Sequence, residues 1–308
     1  MLKYIYMGTP GIAARVLEKL CDNEYPPVAV VTQMAKPKGR GHAVTPSEVE
    51  QYARTQDLNV LEAFDVNAPA LVDVLKTFHP DVIIVVAFGQ ILKDSILKLP
   101  KQGCLNLHAS LLPKYRGAAP VQRAIQSGEK ETGITLQRMV KKLDAGDIFL
   151  QKQISIAKDE TSGQLLSRLA ELGGDLVLEG LKKIEKGESR FVPQNEAMAT
   201  YAPKLEKAEA HLDWSLGAER IRDTIRAFLP WPVAQTQLHG ETLRIFGAQA
   251  VSGRAGAKSG DISSDRKSYL EIQCGDGQAL RLLEVQQEGR KRLTIEDFLK
   301  GYRWPSID

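Results

Sequence analysis

The chain has 308 residues, and its 41 Lys and Arg against 38 Asp and Glu leave a formal net charge of only +3. Its 43% apolar content is enough for a sizeable core, and at about 150 residues per domain the length predicts two domains. The near-balanced charge argues against a disordered or strongly basic chromatin-like chain. No apolar run approaches the ~18 residues of a membrane span, so we expect no membrane association.

The cysteines and histidines give no sign of a metal site. Cys21, Cys104 and Cys274 are odd in number and far apart, and no C-x-x-C pair occurs, which excludes a zinc ribbon or thioredoxin-type motif. The five histidines show no pairing at ligand spacing. The first residues run straight into a strand-like segment, unlike a signal or transit peptide. We therefore expect buried, reduced thiols, no metal and a cytoplasmic protein.

Strand and helix signals alternate along the first half of the chain. The sequence predicts strands over 3–7, 28–33, 81–87 and 104–108, and a helix over 12–21. A second helix is predicted to start at Thr45, with Pro46 in the first turn and Glu48 completing a capping box. Continuous apolar runs are typical of parallel strands buried on both faces. Right-handed crossovers would join them into a doubly wound, mostly parallel sheet of the α/β class.

The alternation of strand and helix signals ends near residue 190. A long amphipathic helix is predicted over 161–186, and a polar stretch follows it. After another helix over 216–228, short β-like segments alternate with glycine turns, which is typical of a small β-barrel. We therefore predict a first domain over 1–189, a linker over 190–206 and a second domain over 207–308.

The turn after the first strand bears on dinucleotide binding. It reads Gly8-Thr9-Pro10-Gly11 and lacks the second and third glycines of the G-x-G-x-x-G fingerprint. No Walker A motif occurs either. A nicotinamide dehydrogenase or a P-loop NTPase is therefore disfavoured.

Three residues form a candidate catalytic set. Asn106 and His108 stand at positions i and i+2 at the end of a predicted strand, so their side chains share one face. Asp144 lies in an acidic turn that follows a β-like run over 134–139. An amide and an imidazolium can stabilise a tetrahedral oxyanion, and a carboxylate can accept the proton of an amine. This set suits acyl transfer to an amine, although the spacing alone fits ordinary turn and strand-end residues better.

Two stretches closely resemble the signature of the folate-dependent formyltransferases: NLHASLLPKYRGAAP over 106–120 and LDAGD over 143–147. The Asn, His and Asp of that family match Asn106, His108 and Asp144. Other stretches resemble the branch of the family that acts on methionyl initiator tRNA, among them KGRG over 38–41, TYAPKL over 200–205, and PWP over 230–232. Two departures are Met34-Ala35 in place of Pro-Asp, and Leu229 in place of Asn.

The resemblance implies a Rossmann-like formyltransferase domain followed by an OB-like barrel that binds tRNA. The implied donor is 10-formyltetrahydrofolate, and the implied acceptor is the free α-amine of methionine on initiator tRNA, a step that supports translation initiation. The implied folate site comprises two stretches of loop residues: Ser110, Leu111, Leu112 and Pro113, and Phe88, Gly89, Gln90, Ile91 and Leu92. The second stretch fits an ordinary strand exit equally well. Asp147 is the weaker acid candidate and is expected to hold the turn.

A basic loop follows the second predicted strand. This loop contains Lys36, Lys38, Arg40 and His42, and no acidic residue follows until Glu48. Glycines flank Arg40. Such a loop can order on a phosphate backbone, although three or four charges are usually a solvated surface. The resemblance implies that this loop binds the acceptor stem of tRNA, with Arg40 as its key arginine. Arg290 to Arg292, and Arg220 with Arg222 and Arg226, are further basic clusters.

Two alternatives stay open at this point. The same chemistry would serve a small amine, such as an amino sugar or glycinamide ribonucleotide, and a non-catalytic tRNA-binding protein could share the fold. The predicted second domain and the basic loop disfavour the first alternative, and the intact Asn-His-Asp set disfavours the second. We expect a monomer.

Overall fold

The computed structural model describes residues 2–38 and 43–304. The strands in chain order are β1 (Tyr4–Gly8), β2 (Ala29–Gln33), β3 (Lys36–Lys38), β4 (Ala43–Thr45), β5 (Val60–Ala63), β6 (Val82–Val86), β7 (Cys104–His108), β8 (Glu131–Arg138), β9 (Ile148–Ser155), β10 (Gln235–Leu238), β11 (Glu241–Ser252), β12 (Ile262–Ser264), β13 (Leu270–Gln273), β14 (Gln278–Gln287) and β15 (Arg292–Thr294). The helices are α1 (Gly11–Asp22), α2 (Glu48–Thr55), α3 (Pro69–Thr77), α4 (Asp94–Leu97), α5 (Pro120–Gln126), α6 (Ser162–Glu185), α7 (Ala218–Ala227) and α8 (Ile295–Gly301).

A seven-stranded sheet with the order β5-β2-β1-β6-β7-β8-β9 organises the first part of the chain. Its first five strands are parallel, and every residue of β1 and β6 is buried, as continuous apolar runs predict. The last two strands, β8 and β9, run antiparallel. The predicted doubly wound, mostly parallel α/β sheet is confirmed.

Helix α2 begins two residues later than its sequence suggests. The predicted cap, Thr45, is instead the last residue of β4, where it pairs with Lys36 in a two-stranded hairpin. Ser47 is the observed cap, and its hydroxyl accepts a hydrogen bond of 3.0 Å from the amide of Glu50. A serine cap with acidic residues in the first turn satisfies the same orphan amides. The prediction of Thr45 as the cap was therefore wrong.

An antiparallel sheet forms the C-terminal part of the chain, in the order β10-β11-β14-β13-β12, with β15 also pairing with β14. Its long strands β11 and β14 shift register around Gly247, and such a bulge bends the strands. Leu243, Ile245, Leu280, Leu282 and Val285 lie in the core under the sheet. Within the described residues the strand path is open, so the predicted small barrel is a curled half-barrel.

The chain divides into two compact units that do not follow the chain order. The first unit contains residues 1–120, 131–155 and 166–202, and the second contains 121–130, 156–165 and 203–308. Two short segments, 121–130 and 156–165, therefore belong with the half-barrel although most of the chain before residue 203 belongs to the first unit. The predicted limits at 189/190 and 206/207 stay a prediction.

Helix α7 carries a buried ion cluster in the second unit. Nε of Arg226 donates to Oδ1 of Asp223 at 2.8 Å, and Nη2 of Arg222 donates to the same oxygen at 3.1 Å. Nη1 of Arg226 also donates to the backbone carbonyl of Glu160 at 3.0 Å. The three helix residues are each less than a tenth exposed. Arg222 and Arg226, which the sequence offered as a basic surface cluster, are therefore buried structural residues.

Replacing Arg226 with methionine should destabilise the protein, because the Asp223 carboxylate would lose one of its two buried partners. Removing one member of a buried ion pair typically costs ~3–5 kcal/mol, and we expect about 3 kcal/mol because Arg222 still donates. Arg220→Met on the exposed face of the same helix is the control, with a change near zero. Denaturant unfolding of both variants measures the difference, and equal stabilities would refute the structural role.

None of the described helices has the length and apolarity that a bilayer span requires. All three cysteines are free, with Cys104 and Cys274 buried as expected and Cys21 only partly buried. Burial raises the pKa of the Cys104 thiol to about 12.

Candidate active site

A polar face of the first sheet gathers the predicted catalytic residues. Asn106 and His108 both lie on β7, and in the antiparallel register of β8 they stand opposite Gln137 and Thr135. Residues two apart on a strand, and residues paired across two strands, project to the same face. The four polar side chains therefore form one patch at the end of β7.

His108 is held between a backbone carbonyl and a carboxylate. Its Nε2 lies 2.9 Å from the carbonyl oxygen of Tyr115, which can only accept, so Nε2 carries the proton. Its Nδ1 lies 3.6 Å from Oδ2 of Asp144. The imidazole is only 6% exposed and the carboxyl 13%, so their interaction is poorly screened by solvent. A proton on Nδ1 would lie between the ring and the carboxylate.

Asp144 is oriented by two further donors. Its Oδ2 accepts a hydrogen bond of 2.8 Å from the backbone amide of Gly117, and its Oδ1 accepts one of 3.1 Å from Nε2 of Gln137. The residue adopts φ +46°, in the left-handed region that L-residues rarely occupy. The structure thus brings Asp144 to His108 across 36 residues of sequence. The left-handed backbone of Asp144 persists only where the surroundings fix it, as at functional sites.

A cavity of about 600 Å³ opens beside this carboxylate. Asp144 and Gln137 stand on its wall, so the polar patch and the cavity are continuous. Most of the other lining residues are apolar or basic: Ile91, Leu92, Leu97, Met139, Val140 and Leu143, with Lys93, Arg138 and Lys141. An apolar cavity of this size with a few directed polar groups is typical of a small-molecule site.

The loop after β6 supplies one wall of the cavity. Gln90, Ile91 and Leu92 line it, and the Ile91 side chain is 87% exposed. The Gln90 amide anchors the loop, accepting from the amide of Val66 at 2.8 Å and donating to the Ala63 carbonyl at 3.1 Å. These three residues therefore form part of the cavity wall and are not only the exit of strand β6.

Phe88 and Gly89 support the same loop from behind. The Phe88 side chain is buried, and its carbonyl accepts from Nε2 of Gln33 at 2.6 Å and from the Thr9 hydroxyl at 3.0 Å. Gly89 has φ +83°, and a Cβ there would lie 2.4 Å from the Gln33 amide. Neither residue lines the cavity, so a direct folate contact by them stays a prediction.

The Ser110–Pro113 stretch lies outside the cavity lining. The carbonyl of Ser110 accepts from the Thr135 hydroxyl at 2.6 Å, and the amide of Leu112 donates to that hydroxyl at 3.2 Å. The Gln151 amide donates to both Leu112 and Thr135. Ser110 and Leu112 are buried, so the stretch shapes the loop that follows His108. Its role in binding folate stays a prediction.

The predicted tRNA residues are only partly covered by the structure. Arg40 and His42 lie outside the described residues. Lys36 and Lys38 belong to β3, which pairs with β4. In the basic cluster over 290–292, Arg292 forms an ion pair with Glu284, and its guanidinium stacks 4.3 Å from the centre of the Phe246 ring.

Sequence reasoning missed the glutamines that organise the site. Gln137 bonds Asp144, and the Gln194 amide donates to Gln137 and to the carbonyls of Asp144 and Gly146. The signal for Gln137 was its place as a polar residue in an apolar run, two residues from the buried Thr135. Gln194 lies in the stretch that the sequence analysis assigned to a linker.

No group of His, Cys, Asp or Glu suited to a metal ion is found in 2–38 and 43–304.

A Rossmann-like sheet with an Asn-x-His strand end, an aspartate at its imidazole and an adjoining cavity defines a class of group-transfer protein. Two family models match the chain, "Formyl transferase" over residues 2–181 and "Formyl transferase, C-terminal domain" over residues 204–303. The chain belongs to the formyl transferase family.

Full-length relatives carry a narrower name. The chain is 42% identical to the methionyl-tRNA formyltransferase of Geobacter metallireducens, covering 98% of this chain and 96% of the relative. It is also 42% identical to the methionyl-tRNA formyltransferase of Caldanaerobacter subterraneus subsp. tengcongensis, over 99% of this chain and 98% of the relative.

Solved structures share the fold at lower identity. An N-formyltransferase from Helicobacter canadensis, in complex with folinic acid and dTDP-3-aminofucose, has a TM-score of 0.68 at 19% identity, covering 93% of this chain and 100% of the other. The methionyl-tRNA formyltransferase from Clostridium thermocellum has a TM-score of 0.58 at 18% identity, covering 89% and 100%.

Proposed function

We propose that this chain transfers a formyl group from 10-formyltetrahydrofolate to the α-amino group of methionyl initiator tRNA, in support of translation initiation. The observation that carries the proposal is the near full-length identity of about two residues in five to methionyl-tRNA formyltransferases. The buried His108–Asp144 pair at the cavity wall supplies a site for the reaction.

The three candidate residues have distinct roles in this proposal. The neutral amine of the acceptor attacks the formyl carbon, and the bond from that carbon to the donor nitrogen breaks. The Asn106 amide donates a hydrogen bond to the oxyanion that develops on the formyl oxygen. An imidazolium at His108 keeps its two N–H groups on the Tyr115 carbonyl and on Asp144, and it stabilises the oxyanion through its positive charge. Asp144 holds the imidazolium and, directly or through water, takes the proton that the amine loses. A proton returns to the donor nitrogen as it leaves.

The cavity suits the ring system of a folate, which has stacking faces and an edge of hydrogen-bonding groups. Ile91, Leu92 and Val140 give apolar walls, and backbone groups of the loop after β6 can meet the polar ring edge. Asp144 and Gln137 line the cavity, which supports a position of the reacting formyl group beside the proposed catalytic residues. We include Ser110–Pro113 and Phe88–Leu92 in the proposed site, the former as support for the His108 loop.

The acceptor is proposed to be held by the basic loop and the half-barrel. Lys36, Lys38, Arg40 and His42 form the loop, and 207–308 is the proposed tRNA-binding domain after a linker over 190–206. The catalytic domain is proposed to span 1–189, the active form is a monomer, and the reaction takes place in the cytoplasm without a metal.

A formyl-transfer assay tests this function directly. The purified chain is given 10-formyltetrahydrofolate with methionyl initiator tRNA, free methionine, a nucleotide-linked amino sugar or glycinamide ribonucleotide. We expect formylation of the aminoacyl-tRNA at a kcat/KM far above that of the small amines. Turnover of a small amine alone would replace the proposed acceptor, and tRNA binding without formyl transfer would point to a non-catalytic protein.

Arg40→Ala should lower kcat/KM for methionyl-tRNA, and Arg40→Lys should also be damaging. An arginine presents a planar fork of donors that lysine does not reproduce, whereas a contact to phosphate alone would tolerate lysine and mainly reduce the salt dependence. The measurement is kcat/KM across a salt series, with folate affinity as the control that stays constant. Unaltered tRNA kinetics in Arg40→Ala would show a solvated loop.

A further inference from the structure

We propose that Gln194 is a positioning residue for the reaction, and that the 194–202 segment holds both loops that fix the His108–Asp144 pair. This inference rests on the proposed function of that pair. The segment follows the long helix α6 and belongs to the first compact unit. It contributes no group that touches the imidazole, so it acts through its neighbours.

The Gln194 amide clamps the turn that carries Asp144. Its Nε2 donates to the backbone carbonyl of Asp144 at 2.8 Å and to that of Gly146 at 2.7 Å. The same nitrogen lies 3.1 Å from Oε1 of Gln137. An amide nitrogen carries two hydrogens, so the longer contact to Gln137 shares a hydrogen with one of the two carbonyls. This contact keeps Oε1 of Gln137 toward Gln194 and Nε2 of Gln137 toward Oδ1 of Asp144. Gln194 therefore fixes the turn and also fixes the Gln137 amide, which donates to the Asp144 carboxylate.

A buried arginine holds Gln194 in place. The guanidinium of Arg116, which is fully buried, donates to Oε1 of Gln194 at 2.8 Å through Nη2 and at 3.2 Å through Nε. It also forms an ion pair of 2.8 Å with Glu196, which Lys142 contacts at 2.6 Å. Hydrogen bonds from Arg116 and Lys142 hold the pKa of Glu196 at about 2, so this link is lost only when the pH falls toward that value.

The end of the segment holds the other loop. The backbone of Arg116 exchanges hydrogen bonds with Thr200 and Ala202, and the Thr200 hydroxyl accepts from the amide of Tyr115 at 2.8 Å. The carbonyl of Tyr115 binds His108, and the amide of Gly117 binds Asp144. The segment thus reaches His108 through Tyr115, and it reaches Asp144 both directly from Gln194 and through Gly117.

Substituting Gln194 by glutamate reverses the pattern of donors at almost constant size. The new carboxylate would face the carbonyls of Asp144 and Gly146 and Oε1 of Gln137, which are all acceptors. Gln137 can relieve one repulsion by turning its amide, and Asp144 then loses a donor to its charged form. Other charged groups around this turn stay in place: His108, Arg116, Arg138, Lys142, Asp147 and Glu196. The loss of that donor leaves Oδ1 of Asp144 without the Gln137 amide that orients it, so we expect the rate of the chemical step to fall.

The experiment compares Gln194→Glu and Gln194→Met with the wild-type chain and with Gln56→Glu, the same change at an exposed position at the end of α2. We expect kcat for methionyl-tRNA to fall about 10²-fold in the glutamate variant, as for a misplaced catalytic group. In the methionine variant, which loses the clamp without gaining a charge, kcat should fall less. The Kd for tRNA should stay within about twofold, and Gln56→Glu should match the wild type. Thermal unfolding checks that each variant is folded, and if the glutamate variant does not fold, the methionine variant carries the test.

A crystal structure of the full-length methionine variant gives a readout that needs no activity. We expect the Asp144 turn to move and the 3.6 Å approach to His108 to open. A wild-type chain that does not formylate methionyl-tRNA would refute the proposed function, and the crystal structure would still decide the role of Gln194. Wild-type kcat in both Gln194 variants, or an unmoved turn, would overturn the inference.

Discussion

His108→Ala is expected to lower kcat for methionyl-tRNA by ~10²–10³, because the oxyanion loses the positive charge beside it and Asp144 loses its imidazole partner. Asp144→Asn should have an effect of the same order, since an amide can neither take a proton nor balance an imidazolium. Asn106→Ala should cost about 10². Single-turnover rates with saturating folate donor measure the chemical step.

The double variant of His108 and Asp144 makes this test sharper. The two side chains are 3.6 Å apart, and groups that act as a unit lose their effect together, so the double variant should be little slower than either single one. Asp147→Asn, on the same turn, is the matched control and should keep most of the activity. Near wild-type rates in all three single variants would remove this pair from the mechanism.

Gly146→Ala is expected to give the second large effect. A Cβ at this position would lie 1.7 Å from the backbone carbonyl oxygen of Arg138, so the turn or strand β8 must shift. The carbonyl of Gly146 is also one of the two that Gln194 binds. Because a catalytic group displaced by ~1 Å costs about 10² in rate, we expect a loss of that order together with a lower melting temperature.

The control for Gly146 is Gly301→Ala, at the end of α8. A Cβ there meets no atom within 4 Å, and the residue does not need a positive φ. The control should therefore keep both the rate and the melting temperature. If Gly146→Ala behaves like Gly301→Ala, the acidic turn is more tolerant than its packing indicates, and the clamp described for Gln194 would lose its support.

The elements that the sequence predicted best are those marked by a continuous apolar run or by a long helical period. The strands β1, β6 and β7, and the long helix α6, were placed within one or two residues because apolar runs and helical periodicity are local signals. Short elements of three or four residues, such as β3, β4 and β5, were missed. Their formation depends on partners distant in sequence, as when β5 pairs with β2 at the sheet edge.

The site shows the same division between local and long-range information. Asn106 and His108 could be assigned to one face because both lie on one strand. The approach of Asp144 to His108 needed the family resemblance, because no local pattern relates positions 36 residues apart. Gln194 could not be identified, since its role arises only when a stretch after α6 folds back on the 144–146 turn. The burial of Arg222 and Arg226 was equally invisible, because helical spacing does not tell a solvated arginine from one paired with Asp223.

The three-part composition of the second compact unit has a consequence for recombination between relatives. A crossover near residue 203 would import a new α7 while keeping residues 156–165 of the recipient, so Arg226 would meet a foreign loop in place of its carbonyl partners at Ala157 and Glu160. The carbonyl of Leu229 would likewise lose its matched partners, Ser162 and Gly163. Exchange of a half-barrel between homologues should preserve folding when residues 121–130 and 156–165 travel with 203–308. Sequence change in the half-barrel of this chain is therefore constrained to go together with change in residues 121–130 and 156–165.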